Sequence, residues 1–276
     1  MSARPPSLYF LYIRAKLTWG FACRLVPFGK SRMTLKAPPP STLLGALAYP
    51  LARHLGWPEV LLSGRREISG ADRVREFVVS AHAKLNASLA IKADINRVFW
   101  FDRHPQRRGV KTDAIALEKV YTSPAPGEIA SSIELIYILR PETAEQALGR
   151  DWPSLLEAAA WGMTRVGQKE SLISVDSVKL AEAGVSEDEH AITGFYFPLE
   201  ACSRPPEGSW LQEYFVDPWE VGIGDYSGAR RLPFAIPYSA RANRPVEVEV
   251  ELDPGKGLKV ECDGHEVVSL RRWLGL

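Results

Sequence analysis

Leu8-Tyr9-Phe10-Leu11-Tyr12-Ile13-Arg14-Ala15-Lys16-Leu17 is the stretch on which the reading of the fold turns. Its residues alternate with a period of two, the spacing of a half-buried strand. One face carries Tyr9, Leu11, Ile13, Ala15 and Leu17 and belongs in a core. The other carries Leu8, Phe10, Tyr12, Arg14 and Lys16. That mixture of aromatic rings and cations is the one that stacks bases and neutralises phosphates on RNA-binding sheets. An ordinary strand whose second face is covered by a later segment has the same pattern, and this strand alone does not separate the two readings.

Downstream, Arg24, Lys30, Arg32 and Lys36 form a basic loop, and Pro38-Pro39-Pro40-Ser41-Thr42 opens a helix. Ser41 or Thr42 is the expected N-cap. Leu43, Leu47, Leu51 and Leu55 fall on one helical stripe, and Pro50 is expected to kink or interrupt it. A helix N-terminus beside four cations suits a phosphate; a plain capped core helix is the alternative. Short strands are expected at 74–81, 98–101, 114–121 and 133–139. Asp151 is placed to cap a helix through Met163 with Pro153 in its first turn and Leu155, Leu156, Ala159 and Met163 inward. Arg165-Val166-Gly167-Gln168-Lys169-Glu170-Ser171 follows, with Gly167 as a helix stop, and then a strand over 172–180.

The order from 8 to 180 is βαββαβ, a ferredoxin-like or RRM-like α+β arrangement. Some 50 residues are inserted between its second and third strands. Inserts of that length in a compact domain carry function or disorder. This one holds strand-like aromatic segments around the basic run Arg103-His104-Pro105-Gln106-Arg107-Arg108-Gly109-Val110-Lys111, and reads as a projecting hairpin with that run at its tip. The last third is β-rich: 246–252, 257–262 and 266–270 are expected to form a three-stranded meander with an acidic face of Glu247, Glu249 and Glu251. Two regions result, 1–184 with an insert at about 84–127, and 185–276.

The chain has 276 residues, 46% hydrophobic and 24% charged, enough for a proper core. Net charge is +1, but residues 1–119 hold 20 Lys/Arg against 8 Asp/Glu and residues 120–276 hold 14 against 25. The first half is suited to a polyanion, or to pairing with the acidic second half. Cys23, Cys202 and Cys262 are odd in number and far apart, which argues against a disulfide framework or a cysteine zinc site and suits a reducing, cytoplasmic compartment. No apolar run is long enough to span a membrane, and the first residues do not form a signal peptide. Three Asn and four Gln in the whole chain fit a thermophile.

Motifs for nucleotide or hydrolytic chemistry fail on spacing. Gly29-Lys30-Ser31 resembles the end of a P-loop, but Arg24 stands where its first glycine belongs, and Gly222-Ile223-Gly224 lacks the dinucleotide spacing. Glu187-Asp188-Glu189-His190 reads as an acidic surface loop rather than a metal site. Neither cofactor nor metal is expected. Metal-free RNA cleavage needs an acid and a base near neutrality. His104 among Arg103, Arg107 and Arg108 is the best candidate, with His54 and His82 as alternatives.

The opening strand, the run Pro38-Pro39-Pro40-Ser41-Thr42-Leu43-Leu44-Gly45-Ala46-Leu47, and Arg165 to Val175 together resemble the CRISPR-associated Cas five family, most of all archaeal-type members of type I-A effector complexes. The resemblance covers most of residues 8–180. It implies a RAMP-superfamily protein with an RRM-like domain that holds the 5′ handle of the CRISPR RNA in antiviral defence. It also implies that the protein caps a backbone filament of Cas seven subunits and touches a Cas eight-type large subunit of Cascade. The family's β-hairpin thumb, which displaces a nucleotide and abuts the neighbouring backbone subunit, would be the insert around Phe99 to Lys111. Type I-A systems normally carry a separate Cas six endonuclease, which implies binding without cutting. Type I-C members of the family cut repeat RNA, which keeps a metal-independent endoribonuclease as the alternative; a protein-contacting adaptor is a third. The expected RNA-binding set is Phe10 and Tyr12 for stacking, with Arg14, Lys16, Arg32, Lys36, Arg107, Arg108, Lys111, Arg165 and Lys169 for phosphates. Ser41 serves at the helix start, Gly167 for close backbone approach and Gln168 for a base edge.

Overall fold

Alternation makes residues 8–17 a strand, and two further strands complete its pairing. The computed structural model describes residues 7–24, 31–63, 66–103, 106, 108–224, 226 and 229–276; Lys30, His104 and Arg107 lie outside the described residues. In chain order, β1 (Leu8–Leu17), β2 (Gly20–Phe21), β3 (Ser31–Arg32) and α1 (Pro40–Leu55) lead to β4 (Val60–Ser63), β5 (Arg66–Ser69) and a short 3-10 helix (Gly70–Glu76). β6 (Val78–Asp102), β7 (Gly109–Pro124), β8 (Ser132–Leu139), α2 (Pro141–Leu148), α3 (Trp152–Trp161) and β9 (Ile173–Ser186) follow. The remainder is β10 (His190–Thr193), β11 (Phe197–Pro198), β12 (Trp210–Val216), α4 (Pro218–Val221), β13 (Arg231–Ser239), β14 (Arg244–Pro245), β15 (Val248–Glu251), β16 (Gly257–Cys262), β17 (His265–Leu270) and α5 (Arg271–Leu274).

The main sheet runs β17-β16-β9-β1-β8-β6-β7-β2. Its centre, β9-β1-β8-β6, is antiparallel throughout. Leu11, Ile13, Ala15 and Leu17 pack with Leu43, Leu47 and Leu51 of α1 and Leu156, Ala159 and Ala160 of α3 in one core. Leu8 and Phe10 belong to a second core with Ile136, Ile138, Leu258, Val260 and Val267. The later segment that covers the second face of β1 is therefore the β16–β17 hairpin. β9 makes this possible by running on beyond the expected 172–180 to Ser186, where it pairs with β16.

Several sequence expectations are corrected. α1 begins at Pro40 and not after Ser41 or Thr42; no side chain caps it. Proline at the first helical position has its φ preset and no N–H to satisfy. The helix runs through Pro50 to Leu55, whose side chain stays exposed. The expected strand at 74–81 is 3-10 helix up to Glu76, started by Ser69 Oγ accepting from Ala71 N and held by an Asp72–Arg75 pair at 2.6 Å. α3 ends at Trp161 on Gly162, so Gly167 stops no helix. The C-terminal meander is divided: β16 pairs with β17, but β15 pairs with β10. The Asp253–Gly257 turn moves the chain from one sheet to another.

β11, β13 and β12 form a further sheet with an aromatic core of Tyr196, Phe215, Phe234 and Trp273. Buried Asp217 anchors it, accepting from Trp219 N at 3.0 Å and Trp273 Nε1 at 2.9 Å. These hydrogen bonds satisfy a carboxylate that would otherwise be costly to bury.

Candidate nucleic-acid interface

Antiparallel register sorts the second face of the central sheet into rows. Phe10, Ile138, Ser80 and Ala181 form one row, then Tyr12, Ile136, His82 and Lys179, then Arg14, Glu134, Lys84 and Ser177, then Lys16, Ser132, Asn86 and Ser174. The first two rows lie in or beside the β16–β17 core. Phe10 is 1% exposed, which removes it from the stacking set: its ring is core. Tyr12 is half-buried, stacked on His265 at 5.2 Å with planes 9° apart, so its ring also has a partner. Burial, and then nearby Glu134, push its hydroxyl up to about 12, so it stays protonated at neutral pH.

The next rows are polar. Arg14 pairs with Glu128 at 2.9 Å, Lys16 with Asp176 at 3.1 Å and Lys84 with Glu247 at 3.6 Å. Asn86 Nδ2 donates to Glu134 Oε1 at 2.6 Å. Exposed pairs of this kind are worth at most about 1 kcal/mol, so a phosphate can compete for Arg14 and Lys16 at small cost.

A second group gathers around the 165–171 loop. Gly167 has φ +116, and a β-carbon there would meet Ala22 O at 2.8 Å and Ser171 Oγ at 3.1 Å. Gln168 N donates to Ala22 O and Ala22 N donates to Ser171 Oγ, so the loop is latched to the chain after β2. Arg165 lies 5.2 Å from the Tyr49 ring, and exposed Lys169 has no carboxylate partner among the described residues. Lys36 pairs with Glu213 at 3.5 Å, and Ser41 bonds to the Tyr226 hydroxyl. The backbone of Arg32 pairs with Leu117 in β7.

Pairing of β2 with β7 adds residues that the sequence reading missed. Trp19 Nε1 donates to Glu170 O at 2.7 Å, its ring is 5.4 Å from Tyr121, and Lys119 Nζ is 5.5 Å from the same ring. Lys119-x-Tyr121 is a period-two signal, but its meeting with Trp19 depends on the strand order.

The insert is a hairpin. β6 pairs with β8 up to Asn86, then with β7 from Ala87↔Pro124 to Asp102↔Gly109. From Asn96↔Ile115 to the tip, the described strands pair only with each other and span about 20 Å. Alternation gives this ribbon two faces. Ile95 (68% exposed), Phe99 (64%) and Val110 (70%) share one with Ile91, Ala93 and Phe101. Lys92, Lys111 and Lys119 stand on the other together with Asp94 and Asp102, Lys119 paired with Asp94 at 2.6 Å, and Arg103 and exposed Arg108 lie beside the turn. An exposed apolar face of this kind marks a surface that meets a partner.

Of the described histidines weighed for catalysis, His82 is fully buried. Its Nδ1–H donates to Tyr196 O at 3.1 Å, so Nε2 accepts from Ser80 Oγ at 2.5 Å, and Ser80 accepts from Ser269 at 2.8 Å. Burial lowers its pKa to about 4. A neutral imidazole that ties β6 to the Tyr196 backbone and holds Ser80, which in turn bonds Ser269 of β17, is a structural residue. His54 is exposed near the end of α1. Among the described residues no group of His, Cys, Asp and Glu is placed to hold a metal, and no helix is long and apolar enough to cross a membrane.

Fold and surface thus define a sheet-rich α+β protein with a projecting two-faced ribbon. No family model matches the chain. It is 29% identical over 172 residues to "CRISPR-associated protein Cas5 3" of Saccharolobus solfataricus, and 28% identical over 172 residues to "CRISPR system aCascade subunit Cas5 1" of the same organism. Each match covers 61% of this chain and 63% of the relative. A CRISPR protein from Archaeoglobus fulgidus has a similar fold, with a TM-score of 0.59 and 21% identity over 94% of this chain and 98% of that one. Over those 172 residues the chain is similar to two proteins named Cas5, and its likeness to the Archaeoglobus protein is one of fold.

Proposed function

We propose that the chain is a non-catalytic RNA-binding subunit of a CRISPR effector complex, holding the 5′ handle of the CRISPR RNA and capping the backbone filament. The observation that carries this reading is the hairpin, with Lys92 and Lys111 on one face, arginines beside its turn, and exposed apolar side chains on the other face. These cations, with Lys169, Arg165 and the Gly167 loop, contact RNA, while the apolar face rests on the neighbouring Cas seven subunit. Contact with a Cas eight-type large subunit and a cytoplasmic location belong to the same proposal. Strand order β9-β1-β8-β6, with α1 after the first strand and α3 before the last, supports the RRM-like βαββαβ reading of residues 1–184. The thumb is then about 84–127, and residues 185–276 are the β-rich region that supplies the covering hairpin. Phe10 has no part in binding, and Tyr12 acts only if His265 moves.

The ion pairs Arg14–Glu128, Lys16–Asp176, Lys36–Glu213 and Lys84–Glu247 join the basic half to the acidic half. They favour the adaptor as a second reading. One titration in EDTA separates the readings, using labelled handle RNA, repeat RNA and a scrambled control, scored for shift and for cleavage. Preferential, salt-sensitive binding to the handle without cutting is expected. Site-specific cutting refutes the non-catalytic reading. Absence of binding, both alone and with the backbone protein, leaves the adaptor.

A further inference from the structure

The helical layer carries an apolar groove that the RNA reading touches only at Arg165, on its edge. α1 and α3 approach closely where side chains are short: a β-carbon added to Gly162 would lie 3.2 Å from Pro50 Cβ. Leu155, Ala158 and Ala159 continue that apolar floor, and Tyr49, Arg53 and His54 flank it. Tyr49 is 44% exposed, an aromatic ring left out of the core, and Trp161 beside Gly162 is also exposed. Arg165 lies over the outer ring of Tyr49, adding a third basic group to the edge. Among the described residues no acid lines the groove; Glu157, exposed next to Ala158 in sequence, is the adjoining carboxylate on α3.

We infer that this groove docks an acidic amphipathic helix of a partner protein. A floor of alanine, glycine, proline and leucine between two helices accepts the ridge of a third helix, whose apolar residues recur at i, i+3 or i+4, and i+7. Leu155 to Gly162 is two helical turns, about 10 Å, which seats two or three such side chains. Arg53, His54 and Arg165 then meet acidic residues flanking that stripe and select the partner by charge. RNA is the poorer occupant, because the floor is aliphatic and the Tyr49 ring already carries a guanidinium. The groove lies on α1 and α3, across the sheet from the β16–β17 hairpin, and the inference does not depend on RNA binding.

The test uses the whole protein and a fluorescent, stapled amphipathic peptide with a leucine stripe and glutamate flanks, read by anisotropy against a twin with lysine flanks. The glutamate peptide is expected to bind at least about tenfold tighter than its twin. Ala158→Trp, at an exposed position, should abolish binding without changing the melting temperature or the RNA shift. Tyr49→Ala should weaken it several-fold, and Arg53→Glu with Arg165→Glu should reverse the charge preference. Equal affinity for both peptides, or binding that survives Ala158→Trp, overturns the inference. Displacement of the peptide by handle RNA from the Arg165→Ala protein also overturns it, since the groove itself would then serve nucleic acid.

Discussion

His82 offers a direct check on how this protein divides histidine chemistry from histidine structure. Its ring is buried, donates to Tyr196 O and accepts from Ser80, and burial holds its pKa at about 4 against an ordinary 6.5. The unfolded chain therefore binds a proton that the native chain refuses. A depressed histidine pKa stabilises the fold above the unfolded value, and that stability is lost as pH falls from about 6.5 through about 4. Between about pH 7.5 and about pH 4.5 the loss from this one group is about 2–3 kcal/mol. His82→Gln keeps an N–H donor and an acceptor but cannot take up a proton. It should be somewhat less stable at neutral pH, yet lose about 2–3 kcal/mol less on acidification. Urea midpoints for both proteins at the two pH values give the difference, in which other titrating groups cancel. Equal losses, or an imidazole NMR titration of His82 near neutrality, would refute the reasoning and return His82 to the candidates for proton transfer.

Phe10→Ala should cost about 3–5 kcal/mol by denaturation because the ring is core; unchanged stability with weakened RNA binding would restore its stacking role. Gly167→Ala places a β-carbon at φ +116 within 2.8 Å of Ala22 O, so stability should fall by about 1–3 kcal/mol in thermal melts, with weaker handle binding as the 165–171 loop shifts. Lys92, Arg108 and Lys111 changed together to Ala should make the slope of log affinity against log salt shallower by about 0.7 for each phosphate these side chains neutralise. An unchanged slope would take RNA off the hairpin.

Alternation in residues 8–17 and the strong β8 segment were legible in the sequence because each is a local rule. Period two assigns faces, and a run of branched residues suits a buried strand. The insert and the basic tip were legible for the same reason. The occupants of the second face were not. Phe10 and Tyr12 look alike on an open and on a covered sheet. Only the extension of β9 to Ser186, which brings β16 and β17 across, decides that one ring is core and the other stacks on His265. Trp19, Lys119 and Tyr121 meet because β2 pairs with β7, a contact about a hundred residues apart in the chain. The meander failed because the turn after Asp253 changes sheets, and a turn's own residues do not name the strand that will receive the chain. Local spacing determined which segments are strands and helices and where positive charge lies along the chain. Long-range pairing and burial, which depend on every other segment at once, decided which of those charges and rings remain at the surface.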